Sequence, residues 1–140
     1  MKSVRTLISI CLLLSGATLF AQTENQLLMT VNIPFAFATG DHSLPGGQYF
    51  VYTVAPERSI RITSVDGKHA VIVNTLPNHA GAPSENSRLV FHKYGNEYFL
   101  TQVWTANENV VRTPLTSKKE MELARGGSYE RSTILAFAGR

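Results

Sequence analysis

From residue 29 onward apolar side chains fall on alternate positions, with Met29, Val31, Ile33, Phe35 and Phe37 set against Thr30, Asn32, Pro34, Ala36 and Ala38. Successive side chains of a strand point to opposite faces, so this period of two predicts a strand with one strongly apolar face. Pro34 has no ladder donor, which places the strand at a sheet edge or puts a bulge at that point. A turn-rich stretch from Gly40 to Gly47 follows. Gln48 to Val54 then reads as a second strand, Tyr49 and Val51 on one side, Phe50, Tyr52 and Val54 on the other, both sides at least partly covered.

Asp66-Gly67 lies between two further alternating runs, Ser59 to Val65 and Lys68 to Thr75. Such a dipeptide is the favoured two-residue hairpin loop, since it tolerates positive φ at both central positions. That register sets Ser64 opposite His69, Ile62 opposite Val71 and Ile60 opposite Val73, which gathers Ile60, Ile62, Val71 and Val73 on one buried face. Gly95-Asn96 supplies a second hairpin between Arg88 to Tyr94 and Glu97 to Thr105, with Phe91 opposite Leu100 and His92 opposite Phe99. Strict alternation would line one side with Leu89, Phe91, Leu100 and Trp104, and the other with Val90, His92, Phe99, Thr101 and Val103.

Leu76 to Ser87, with two prolines, Gly81 and little apolar content after Leu76, reads as a mobile surface loop. Val110 to Thr113 is a short strand before Pro114. Ser117 and Glu120 fit a capping box opening a helix from Lys118 to Arg125, closed by Gly126. Two turns do not persist alone in water, so Met121 and Leu123 or Ala124 are expected to rest on the sheet. The apolar tail from Ser132 to Ala138 can add a last strand. Together these elements predict an all-β, mainly antiparallel domain, a small β-sandwich or partly closed barrel of about six to seven strands with one short C-terminal helix, occupying residues 22–140.

The first 21 residues read differently. Lys2 and Arg5 precede an apolar run from Leu7 to Leu14 and then the small residues Ser15, Gly16 and Ala17, the order of a secretory signal peptide with cleavage after Ala17 or Ala21. The run is shorter than the roughly 20 residues a bilayer span needs, so no stable membrane insertion is expected after cleavage. Cys11, the one cysteine, lies inside it. The expected location is the periplasm or the medium.

Charge then loses its first meaning. The 13 basic residues include Lys2 and Arg5, and without them 11 face 10 acidic residues, a net of +1. The pair Lys118-Lys119 is followed by Glu120 and Glu122, so no basic stripe for nucleic acid remains. His42, His69, His79 and His92 share none of the short spacings of zinc or copper sites, which gives no expected metal and no cofactor. No nucleophile elbow surrounds a serine, Asp41 and Asp66 sit in turns, and the glutamates are dispersed, so no catalytic residue is assigned. Tyr49, Tyr52, Tyr94, Tyr98 and Trp104 are the ring-bearing candidates for a groove, and Tyr98 and Trp104 are the ligand or partner surface to bet on if one side of their hairpin faces solvent.

The run Ile33-Pro34-Phe35-Ala36-Phe37, then Gly40 and Ser43-Leu44-Pro45-Gly46-Gly47-Gln48-Tyr49, resembles the opening of a family of small exported proteins common in Acidobacteria. Leu89 to Gly95, Tyr98-Phe99-Leu100, Gln102-Val103-Trp104 and the stretch Ser117 to Arg125 are similar to that family's later signatures, with Gly46 in place of its usual Ala as one departure. The resemblance implies export and this fold and transfers no activity. The expectation is therefore a non-enzymatic exported domain that binds an envelope glycan or protein or has a structural role, with a hydrolase acting on an extracytoplasmic substrate as the alternative. A third reading, assembly by edge pairing, starts from the Pro34 strand and the tail Thr133 to Phe137.

Overall fold

The computed structural model describes residues 25–55 and 58–137, so the signal-peptide expectation lies outside the described residues. In chain order the elements are β1 (Leu27–Ile33), β2 (Phe37–Thr39), β3 (His42–Leu44), β4 (Gly47–Ala55), β5 (Ser59–Ser64), β6 (Ala70–His79), β7 (Arg88–Tyr94), β8 (Glu97–Trp104), β9 (Val110–Pro114), α1 (Lys118–Gly126) and β10 (Glu130–Leu135). Among the described residues the protein is mostly β with one short helix, and its mixed sheet is not closed into a barrel. Ten strands among these residues replace the expected six to seven. The first predicted strand breaks in two, the turn-rich stretch hides β3, and the tail forms β10.

Pro34 is where the first strand breaks. Before it, β1 pairs with β4 alone; after it, β2 pairs with β3 and runs parallel to β8 through Phe37 opposite Tyr98. The missing donor ends one ladder and lets the chain cross to another. The apolar face survives the crossing. Phe35 meets Phe91 edge-on with centroids 5.0 Å apart, and Phe37 does the same against Phe91 and Tyr49 at 5.5 Å.

Sheet order runs β1-β4-β5-β6-β9-β8, and β8 carries β7, and beyond it β10, on its other edge. The strand β6 serves both halves: Ala70 to Asn74 pair with β5, and Thr75 to His79 pair with β9. This overturns the expected mobile loop at its start, because Leu76 to His79 are strand. Pro77 is tolerated there since β5 has already ended and that edge needs no donor. The rest of the connection is also tied down. Ser84 donates its backbone N–H to Glu108 O at 2.9 Å, Asn107 donates to Ser84 O at 2.8 Å and Ala80 to Asn109 O at 2.7 Å. A Gly- and Pro-rich composition marked the absence of regular structure, whereas the order comes from long-range bonds that composition does not carry.

The two hairpins keep the predicted registers, Ile60 opposite Val73 and Ile62 opposite Val71 in one, Phe91 opposite Leu100 in the other. Their turns differ. At Gly95, φ is +60° and Tyr94 pairs directly with Glu97 across a two-residue loop. At Asp66-Gly67 only Gly67 has positive φ, +76°, and its N–H bonds Ser64 O at 2.9 Å, so the loop is wider than the expected two residues. Asp66 holds it through its side chain, accepting from Ser64 Oγ at 2.6 Å and Lys68 N at 3.0 Å. Register is unchanged because one residue is added on each side.

One core lies between the halves, built from Met29, Val31, Ile33, Tyr49, Val51, Ile60, Ile62 and Val73 on one side and Phe37, Leu89, Phe91, Leu100 and Val103 on the other. Burial of this apolar area is the main favourable term for such a domain. The outer edges β1 and β10 approach one another, with Phe137 N donating to Thr30 O at 2.9 Å. Ile134 and Ala136 pack on the core from that seam.

Candidate functional site

The site begins with an irregularity. Opposite Phe91 stands Leu100, but opposite Val90 stands Gln102, so Thr101 is an extra residue in β8. Its Oγ1 donates to Val90 O at 3.0 Å, which fills the gap the bulge leaves in the ladder. Two consecutive polar side chains, Thr101 and Gln102, thereby line the same groove. Past the bulge the faces exchange. Val103, fully buried, turns to the core and Trp104 turns outward, the reverse of what strict alternation predicts.

The groove lies on the outer face of β7 and β8 beneath α1, with a volume of about 470 Å³, inside the range of about 300–1,000 Å³ usual for small-ligand sites. His92 and Tyr94 form its floor from β7. Thr113 and Thr116 flank it, and Glu120, Met121, Ala124 and Arg125 of α1 overhang it. Ser117 caps the helix as expected, its Oγ accepting from Glu120 N at 3.1 Å, which is the Ser117 half of the capping box. The packing of the helix is looser than expected. No residue of α1 is fully buried and Met121 is 44% exposed; Leu123 and Glu120 are half-buried, and Met121 and Ala124 face the sheet across a hollow. Lys119, paired with Glu97 at the start of β8, ties the helix down.

Tyr129 stands beside this floor, against His92 and Tyr94 and outside the groove's own lining. Because Glu130 pairs with Lys93 and Arg131 with His92, β10 carries Tyr129 alongside β7. Its ring stacks on His92 with centroids 3.7 Å apart and planes at 12°, and it lies 5.8 Å from the ring of Tyr94. The sequence signal for this was faint. Tyr129 follows Gly126-Gly127-Ser128 outside any alternating run, and only the register of β10 brings it in.

Burial shapes the titrating groups. The imidazole of His92 is held below its usual value, first by desolvation and then by the Arg131 charge. The Glu120 carboxyl is pushed above its usual range by burial. The Tyr94 phenol is raised by burial and then by the charges of Glu120 and Tyr129. Near neutral pH the groove thus holds an uncharged imidazole and an uncharged phenol beside one reluctant acid.

The residues singled out in the sequence lie apart. Tyr98 faces the core side, stacked on Phe35 with centroids 3.7 Å apart and with Lys93 Nζ 5.5 Å from its ring. Trp104 is on the outer face at the other end of β8, under the Arg88 guanidinium at 4.2 Å, its Nε1 donating to Gln102 Oε1 at 3.0 Å. The two rings do not share a surface. His42, His69 and His79 are exposed, His79 on β6 rather than in a loop. Among the described residues no three His, Cys, Asp or Glu side chains gather to hold a metal, and no helix is long and apolar enough to cross a membrane. Compared with known proteins, the chain matches no family model, no curated protein and no solved structure.

Proposed function

We propose that this is a non-enzymatic binding domain, exported to the periplasm or medium, whose ligand occupies the groove between α1 and the β7–β8 hairpin. The observation that carries the reading is the half-exposed Tyr129 ring stacked on His92, a floor residue of a hollow that α1 spans without filling. A helix this short gains its stability from packing, so one held over an open groove is poor architecture and good recognition geometry. The ligand surface accordingly moves from Tyr98 and Trp104 to Tyr129, His92 and Gln102. The test is retention and thermal shift of the protein against envelope polysaccharides, peptidoglycan and periplasmic extract. Saturable retention lost in Tyr129→Ala, with the fold intact, supports the reading; retention that survives this change places the site elsewhere.

One observation favours the hydrolase alternative: Glu120, its carboxyl raised by burial, acts electrostatically on Tyr94 in the same groove, which sets a general acid beside a phenol. Turnover of an extracytoplasmic substrate, abolished by Glu120→Gln, would replace binding by catalysis.

A further inference from the structure

Resting on the binding role proposed above, we infer that the groove takes a neutral, hydroxyl-rich sugar ring rather than a charged ligand or a peptide. Three features of the lining and its border argue for it. The first is a flat platform at the border. With one face of Tyr129 against His92 of the groove floor and the residue 51% exposed, an aromatic surface beside the groove is offered to the apolar C–H face of a ring.

The second is the polarity around that platform. Gln102 Oε1 is engaged by Trp104 Nε1, which fixes the amide so that its N–H pair is what it offers to a ligand. Thr101 donates its hydroxyl proton to Val90 O and so presents acceptor lone pairs. Thr113 and Thr116 add hydroxyls on the flank. A donor amide beside acceptor hydroxyls suits vicinal hydroxyl groups, each of which donates and accepts.

The third is charge. The ionisable side chains of α1 that line the groove are one acid and one base, Glu120 and Arg125, so the overhang favours neither sign of ligand. Arg131, which acts on His92 from β10, and Lys93 on β7 are the neighbouring cations, and Lys93 is drawn toward Glu130 at 3.9 Å. A peptide would instead seek a free strand edge, and both edges of β7 are already paired, with β8 and β10.

The experiment is an amide NMR titration of the full chain with three probes: a neutral N-acetylglucosamine or glucose oligomer, polygalacturonate as the anionic counterpart, and an unstructured peptide. The expected result is saturable movement of the Thr101, Gln102 and Tyr129 signals with a neutral oligomer only, weakened about tenfold or more in Tyr129→Ala and retained in Tyr129→Phe, which keeps the ring. Movement of those signals with polygalacturonate or peptide alone overturns the sugar assignment while leaving the groove a binding site. No movement of the groove with any probe, when the retention screen does find a ligand, overturns both the sugar assignment and the groove.

Discussion

The phenol of Tyr129 lies nearly parallel to the imidazole of His92 and stacked on it, one ring brought by the residue before β10 and the other by β7. This contact keeps water from His92 and so contributes to the desolvation that lowers its pKa. Replacing Tyr129 with Ala is expected to move the His92 pKa back up toward its ordinary value, read from the imidazole proton shifts across a pH titration. An unchanged His92 titration would mean that the sheet, and not Tyr129, desolvates the ring.

His92 and Glu120 pull the pH dependence of stability in opposite directions. The folded-state pKa of His92 lies below its usual 6.5, so its contribution is fully present above that pH and is lost as pH falls through the folded value. Glu120 lies above its usual 4.5, so its contribution is present below that pH and is lost as pH rises through the folded value. Glu120→Gln is expected to remove the second loss and be more stable than the parent at pH 7 in urea unfolding. A parent and variant with parallel pH profiles would contradict the assignment.

The bulge makes an unusual prediction about length. With Thr101 removed, strict alternation from Leu100 puts Gln102 out, Val103 in and Trp104 out, the faces they already occupy. Deleting Thr101 is therefore expected to leave a cooperatively folded protein that has lost one hydrogen bond, about 0.5–1.5 kcal/mol. A chain that no longer folds would show that the bulge also sets the path of β8 toward β9.

Arg112 is 5% exposed and its Nη1 donates to Glu108 Oε2 at 2.9 Å and to Thr105 Oγ1 at 3.2 Å. Glu108→Ala takes a charge-assisted bond from a buried guanidinium and is expected to cost about 1.5–3 kcal/mol in urea unfolding. By contrast Lys119→Ala breaks a pair whose side chains are 64% and 44% exposed, and its expected cost is about 0–1 kcal/mol, falling further with salt.

What the sequence made legible was local. Asp66-Gly67 and Gly95-Asn96 set the registers of two hairpins, and Ser117 set the start of α1, because each acts through bonds within a few residues. What it concealed depended on partners far along the chain. Alternation runs unbroken through Pro34 since Phe35 and Phe37 both reach Phe91, although the backbone between Ile33 and Phe37 changes ladder. Thr101 looks like any strand residue, and strict alternation assigns Trp104 to the wrong face for that reason alone. The groove and the ring beside it were illegible because Gln102 and Glu120 come from separate elements and Tyr129 is placed by a tail whose pairing no local pattern states.

The shared strand β6 carries a consequence for motion. Since one unbroken backbone belongs to the ladders of both halves, neither half can open as a separate cooperative unit without straining the other across Asn74 and Thr75. Amide exchange in the middle of β6 should then require the largest opening the protein makes, while α1, none of whose residues is fully buried, opens and closes on its own far more often.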